Sequence, residues 1–288
     1  MNWTDRRTRF RAILSGTRCV HPASVFDAIS ARIAEDLGFE IGMFAGSVAS
    51  MTVLGAPDLV VLSLTEFAEQ AYRINRAGSL PLLVDADHGY GNALSVKRTV
   101  EELETAGVAG LTIEDTALPA RFGKADKTEL IPIEEGVGKM RAALAGRQDP
   151  SLVVCGRTSA LGVTSVEDTV ARAKAYEQAG VDAMFLSNVK SRAQLDAVSQ
   201  GIRIPIITGG TEAELIDLDY LASRRVRIWL LGHQPFLASV RAVHDTLKAL
   251  RDGMAPGAIG NTASADLMNR VVRREDYARW SRDFLGGG

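Results

Sequence analysis

Two carboxylates, Asp85 and Asp87, close the short apolar run Leu82-Leu83-Val84, and the glycines Gly89 and Gly91 follow them. Residues i and i+2 of an extended chain face the same side, so both acids point one way. Two anions held together repel unless a cation or a shared proton intervenes. Oxygen-only donors suit a hard ion, Mg²⁺ or Mn²⁺, rather than zinc. For the D-x-D pair alone, a solvated strand end is an equally ordinary explanation. An EF-hand is excluded, because Tyr90 and Val96 stand where its loop needs glycine and glutamate. A dinucleotide-binding turn fails as well: Leu94 takes the third glycine position, and the aspartates would repel a pyrophosphate.

Elements that alternate along the chain must position this pair. Short apolar runs occur at Ala23–Phe26, Ile41–Ala45, Leu82–Val84, Gly110–Ile113, Leu152–Cys155, Ala183–Leu186, Ile204–Ile207 and Arg227–Leu231. Each is followed by an amphipathic helical pattern, the last at Pro235–Leu250, and three patterns close on Ala-Gly pairs. Eight such pairs predict a (β/α)₈ TIM-type barrel. An N-terminal helix is expected at Trp3–Leu14, and further helices at about 264–272 and 274–285. The expectation is therefore one barrel domain over residues 1–288, with a helical extension from about 251. Two long connections, 46–63 and 115–132, are candidates for functional loops.

In such a barrel the C-terminal strand ends share one mouth. Those ends carry Asp27, Gly46-Ser47, Asp85 and Asp87, Glu114-Asp115, Arg157, Ser187, Thr208 and Gly232-His233. Asp85, Asp87 and Glu114, from adjacent strands, could hold Mg²⁺ partly through water. Arg157 either pairs with these acids or grips a substrate carboxylate with its planar fork. Ser47, with the N–H groups around Gly46, either binds the same anion or belongs to an ordinary turn. His233 is a catalytic candidate or a hydrogen-bonded structural residue. Asp58 is a catalytic candidate that gates the mouth, or a solvated loop acid. His88 and His244 are read as structural or surface residues.

Composition sets the outer limits. The chain has 288 residues, 46% hydrophobic and 24% charged, as an ordinary globular protein does. A net charge of −2 argues against nucleic-acid or anionic-membrane partners. Cys19 and Cys155 stand apart, so no disulfide framework or zinc site is expected. The arginine-rich start lacks the apolar core of a signal peptide, and no run reaches membrane-spanning length. A cytoplasmic protein is expected.

The segments D-A-D-H-G-Y-G-N, G-L-T-I-E-D, G-S-V-A-S and C-G-R-T-S-A together resemble the isocitrate lyase/phosphoenolpyruvate mutase superfamily, from about Ser24 to Leu250. The resemblance implies a Mg²⁺-binding barrel acting on 2-oxo or 2-hydroxy dicarboxylates, assembled as a homotetramer with a terminal helix swapped between subunits. By position, Asp85 looks like the direct metal ligand, with Asp87 and Glu114 acting through water, and Ser47 and Arg157 look like carboxylate binders. The lyases carry a K-[KR]-C-G-H loop; here the stretch is Ala120-Arg121-Phe122-Gly123-Lys124, without cysteine or histidine. The P-A-R-F-G-K segment, E-E-G-V-G-K at 134–139 and Gly232-His233 resemble instead the oxaloacetate decarboxylase branch, in which the histidine lies in the substrate site. Ser159, Leu161 and the Gly209-Gly210 pair depart from the superfamily pattern. The resemblance implies an oxaloacetate-type decarboxylase working through a metal-stabilised enolate. A carbon–carbon lyase or hydrolase of 2-methylisocitrate-lyase type, or a barrel that binds 2-oxo acids without turnover, are the alternatives.

Overall fold

The computed structural model describes residues 3–120, 122–123 and 127–286. Eight strands form one sheet in sequential order: β1 (Ala23–Ser24), β2 (Gly42–Phe44), β3 (Leu82–Asp85), β4 (Gly110–Glu114), β5 (Val153–Thr158), β6 (Ala183–Leu186), β7 (Ile206–Gly209) and β8 (Val226–Leu230). Every neighbouring pair is parallel. The ring closes just before β1, where Val20 donates to Arg227 O at 2.9 Å and accepts from the Trp229 N–H at 3.0 Å. This is the (β/α)₈ barrel that the alternation of apolar runs and amphipathic stretches predicts.

Burial on both faces explains why the strands read as continuous apolar runs. Leu82, Leu83, Val84, Leu111, Ile113, Val153 and Val154 are at most 1% exposed. Local chemistry sets the helix starts. Ser63 and Glu66 form a reciprocal capping box, and Asn92 caps Ala93–Thr105 through the N–H groups of Leu94 and Ser95. Asp27 proves to be a cap too. Its carboxylate accepts from the Ser30 N–H at 2.7 Å, which takes it out of the set of mouth acids expected from sequence.

The 46–63 connection is more ordered than its glycine and serine content suggests. It opens with a helical turn at Gly46–Ala49 and continues as a π-helical turn at Ser50–Leu54. Conversely, the helical pattern from Glu212 breaks into a 3₁₀ turn, Ala213–Leu215, and a short helix, Leu218–Ser223.

The chain divides into two compact units, Met1–His233 and Gln234–Gly288. The first holds all eight strands. The second holds the helices Gln234–Arg251, Ala265–Val271 and Arg274–Leu285. The helix Gln234–Arg251 buries none of its residues.

Candidate active site

Register across the sheet assembles the site. Asp85 on β3 lies opposite Thr112 on β4, Glu114 on β4 opposite Arg157 on β5, and Arg157 opposite Phe185 on β6. Thr112 Oγ1 donates to Asp85 Oδ1 at 2.7 Å, and Arg157 Nη1 donates to Asp85 Oδ2. Arg157 Nε lies 3.4 Å from Glu114 Oε2 and donates to Ser187 Oγ at 3.3 Å. The guanidinium also covers the Phe185 ring at 5.1 Å. Burial opposes the arginine's charge, yet Asp85, Glu114 and Asp87 together hold it more firmly protonated than usual.

Asp85, Glu114 and Arg157 line a cavity of about 300 Å³ with Ser47, Asp58, Asp87 and His233. Met43, Ala45, Val60, Leu118, Phe185 and Leu230 complete its wall. Ser47, Asp58, Asp85, Asp87, Glu114, Arg157 and His233 thus share one space, whereas the strand-end residues Asp115, Ser187, Thr208 and Gly232 do not line it. A Cβ on Gly46 would stand 2.7 Å from Asp87 Oδ2, so only glycine lets that carboxylate settle there. A larger groove of about 700 Å³ lies elsewhere, between Arg9, Phe39 and Pro81. Its charged residues include Arg18 and Glu40, which are exposed and paired with each other. Size alone does not make it the reactive site.

The carboxylates meet at a cost. Burial and the neighbouring Asp85, Glu114 and Asp58 push Asp87 up to about 8. Burial also raises Glu114, against the pull of Arg157, and raises Asp58, which Asp85 pushes further the same way. Of the four acids in this cavity, Asp85, Asp87 and Glu114 form an oxygen donor set, one of them short of countercharge, that fits a hard divalent cation. Among the described residues, no three His, Cys, Asp or Glu side chains are set to ligate one ion together. The acids can therefore share an ion only with water between some of them and it.

His233 Nδ1 lies 3.1 Å from Ser24 Oγ, and burial lowers the imidazole's pKa against the pull of Asp85 and Asp58. His88 is no surface residue: it is 3% exposed, and burial beside Lys139 lowers it to about 4. His244 is exposed beside Asp245. Sequence reasoning passed over Thr112, Ser24 and Phe185. A visible signal existed for Thr112, a hydroxyl within an apolar strand and two residues before Glu114, hence on the same face. In the loop compared with the lyase motif, Arg121 and Lys124 lie outside the described residues.

The barrel and its acid-lined mouth define the class, an α/β-barrel enzyme with its site at the C-terminal strand ends. Residues 10–251 match the model of the phosphoenolpyruvate phosphomutase family, and the chain belongs to the phosphoenolpyruvate mutase/isocitrate lyase superfamily. It is 60% identical over 286 residues to the oxaloacetate decarboxylase of Bradyrhizobium diazoefficiens, covering 99% of each chain. Among solved structures it resembles oxaloacetate acetylhydrolase bound to 3,3-difluorooxalacetate, with a TM-score of 0.86 and 26% identity over 99% of this chain and 98% of that one. It also resembles phosphonopyruvate hydrolase complexed with oxalate and Mg²⁺, with a TM-score of 0.85 and 27% identity over 97% and 99% of the two chains.

Proposed function

We propose that this chain is a divalent-metal-dependent carboxy-lyase that converts oxaloacetate, or a close 2-oxo dicarboxylate, to pyruvate and carbon dioxide. The observation that carries the reading is one cavity in which four carboxylates, three of them from Asp85, Asp87 and Glu114, face an arginine and a histidine while most of the remaining wall is apolar. Relatives named oxaloacetate decarboxylase support it. Asp85, Asp87 and Glu114 would hold Mg²⁺, with Mn²⁺ the alternative, and the ion when bound supplies a Lewis acid for negative charge developing on the 2-keto oxygen.

The chain's own groups divide the remaining work. Arg157, seated on Phe185, grips the carboxylate that stays, since a cation on the departing one would oppose its loss. Ser47 and the backbone around Gly46 take the remaining oxygens of that group. The departing carboxylate then meets Val60, Leu118 and Leu230, and apolar walls favour its conversion to neutral carbon dioxide. The electron pair of the 3–4 bond passes into the enolate of pyruvate, and carbon 3 then takes a proton from water. His233, held by Ser24 and kept neutral by burial, turns the 3–4 bond perpendicular to the keto plane. Asp58 stands at the mouth as a gate.

The helix Gln234–Arg251 carries the apolar stripe Leu237, Val240, Val243, Leu247 and Leu250, each at least 39% exposed. In our reading this stripe is covered by a neighbouring copy, in a homotetramer whose barrels exchange terminal helices. Two buried free thiols, Cys19 and Cys155, fit a reducing cytoplasmic setting.

Oxalate tests the site. It is a planar dianion like the enolate of pyruvate, which a decarboxylase must hold more tightly than its substrate. Competitive inhibition well below the substrate KM, abolished by chelator, is expected. Inhibition no stronger than that by malonate or succinate removes the enolate from the account.

A further inference from the structure

The Glu134–Lys139 stretch plays no part in the cavity, yet its last residue lies deep inside the protein. Lys139 is 3% exposed, and its Nζ donates to the His88 carbonyl at 2.9 Å. Lysines are rarely buried this far unless paired. Burial pulls the ammonium's pKa down, while Glu135, Glu114 and Asp115 hold it up.

His88 sits within a turn of unusual backbone. The φ angles are 46° at Asp87, 79° at Gly89, 61° at Tyr90 and 149° at Gly91. Asp87 and Tyr90 have side chains and occupy the left-handed region at a cost in free energy, so their surroundings must hold them there. Two of the holding bonds are between backbone groups: Glu114 N–H to Asp87 O at 2.8 Å, and Gly89 N–H to Ala86 O at 2.9 Å. The other two reach in from helices. Thr99 Oγ1, on Ala93–Thr105, donates to Gly89 O at 3.0 Å, and Lys139, on Ile133–Gly146, donates to His88 O. Thr99 is fully buried, so neither bond is easily replaced by solvent. The turn in turn sets the Asp87 carboxylate against Gly46 and at the cavity wall.

We propose that Lys139, seconded by Thr99, is a positioning residue that locks the left-handed Asp87–Gly91 turn and so holds Asp87 in place beside Asp85 and Glu114. Its consequence for cation binding rests on the metal site proposed above; the locking of the turn does not. Groups that orient a ligand from behind typically change metal affinity by about 10- to 100-fold when removed.

The test compares wild type with Lys139→Met, which keeps the length and apolar stem but removes the donor. Two readouts are taken: amide hydrogen exchange across residues 86–92 in metal-free protein, and Mg²⁺ binding by calorimetry. Turn amides exchanging at least about tenfold faster, with β3 and β4 strand amides unchanged and the Mg²⁺ Kd raised about tenfold, are expected. A folded Lys139→Met with turn exchange as slow as wild type overturns the proposal, and so does an unchanged Kd when wild type binds Mg²⁺. A wild type that binds no Mg²⁺ defeats the metal site instead, and the exchange result still decides the role of Lys139. If Lys139→Met does not fold, Thr99→Val takes its place in both measurements, and the same results support or overturn the proposal.

Discussion

At the scale of residues, His233 is where the decarboxylase reading is most exposed. Its ring is placed by Ser24 on the other side of the barrel seam and faces the cavity that holds Arg157 and the four acids. Lowered by burial, it enters the reaction as neutral imidazole and can orient substrate without adding charge. His233→Gln should therefore fold and bind Mg²⁺ as wild type does, yet lose on the order of 10²-fold in kcat/KM for oxaloacetate. A wild-type rate would make the histidine structural. The acids, Arg157, Ser47 and His233 were legible in the sequence because each stands at the end of an apolar run. Of their partners only Thr112 left a signal in the sequence, since Ser24 and Phe185 acquire a role only through neighbouring strands. The pairing of Arg157 with Asp85 was open from sequence, and the structure shows it made.

At the scale of elements, short apolar runs alternating with helical patterns located all eight strands, but their ends drifted. The run at Ala23–Phe26 shortens to Ala23–Ser24 because Asp27 turns away to cap the next helix. The run at Ile204–Ile207 slides to Ile206–Gly209. Both shifts reflect hydrogen bonding of single residues, which hydrophobic pattern does not register. The helix Gln234–Arg251 has the reverse character: its pattern is clear, but its apolar side is exposed. Val243 and Leu247 are 58% and 62% exposed, and an exposed apolar stripe of this kind marks an interaction surface. If the proposed tetramer forms through this stripe, Leu247→Glu should lower the mass seen in light scattering, with the barrel's circular dichroism retained. An unchanged mass would mean that the stripe is not the interface.

At the scale of the whole molecule, two buried groups titrate in opposite senses. Folded Asp87 keeps a proton up to about pH 8, whereas an unfolded aspartate loses it near pH 4, so this group's contribution falls as pH rises between those limits. Folded His88 stays neutral down to about 4, whereas the unfolded imidazole gains its proton below about 6.5, so its contribution rises with pH over that window. The two slopes oppose each other below about pH 6.5, and above it only Asp87 of this pair acts. Metal-free protein should show a melting temperature that changes little up to about pH 6.5 and declines toward pH 8. Mg²⁺ should raise it more at pH 8 than at pH 6, because less proton is left to displace. Equal Mg²⁺ shifts at both pH values would uncouple Asp87 from the cation. The central claim concerns which bond breaks, and it is read most directly from the products of oxaloacetate turnover with Mg²⁺. The account predicts pyruvate and carbon dioxide in equal amounts, with none formed in excess chelator beyond the uncatalysed rate; oxalate and acetate, or no turnover at all, would contradict it.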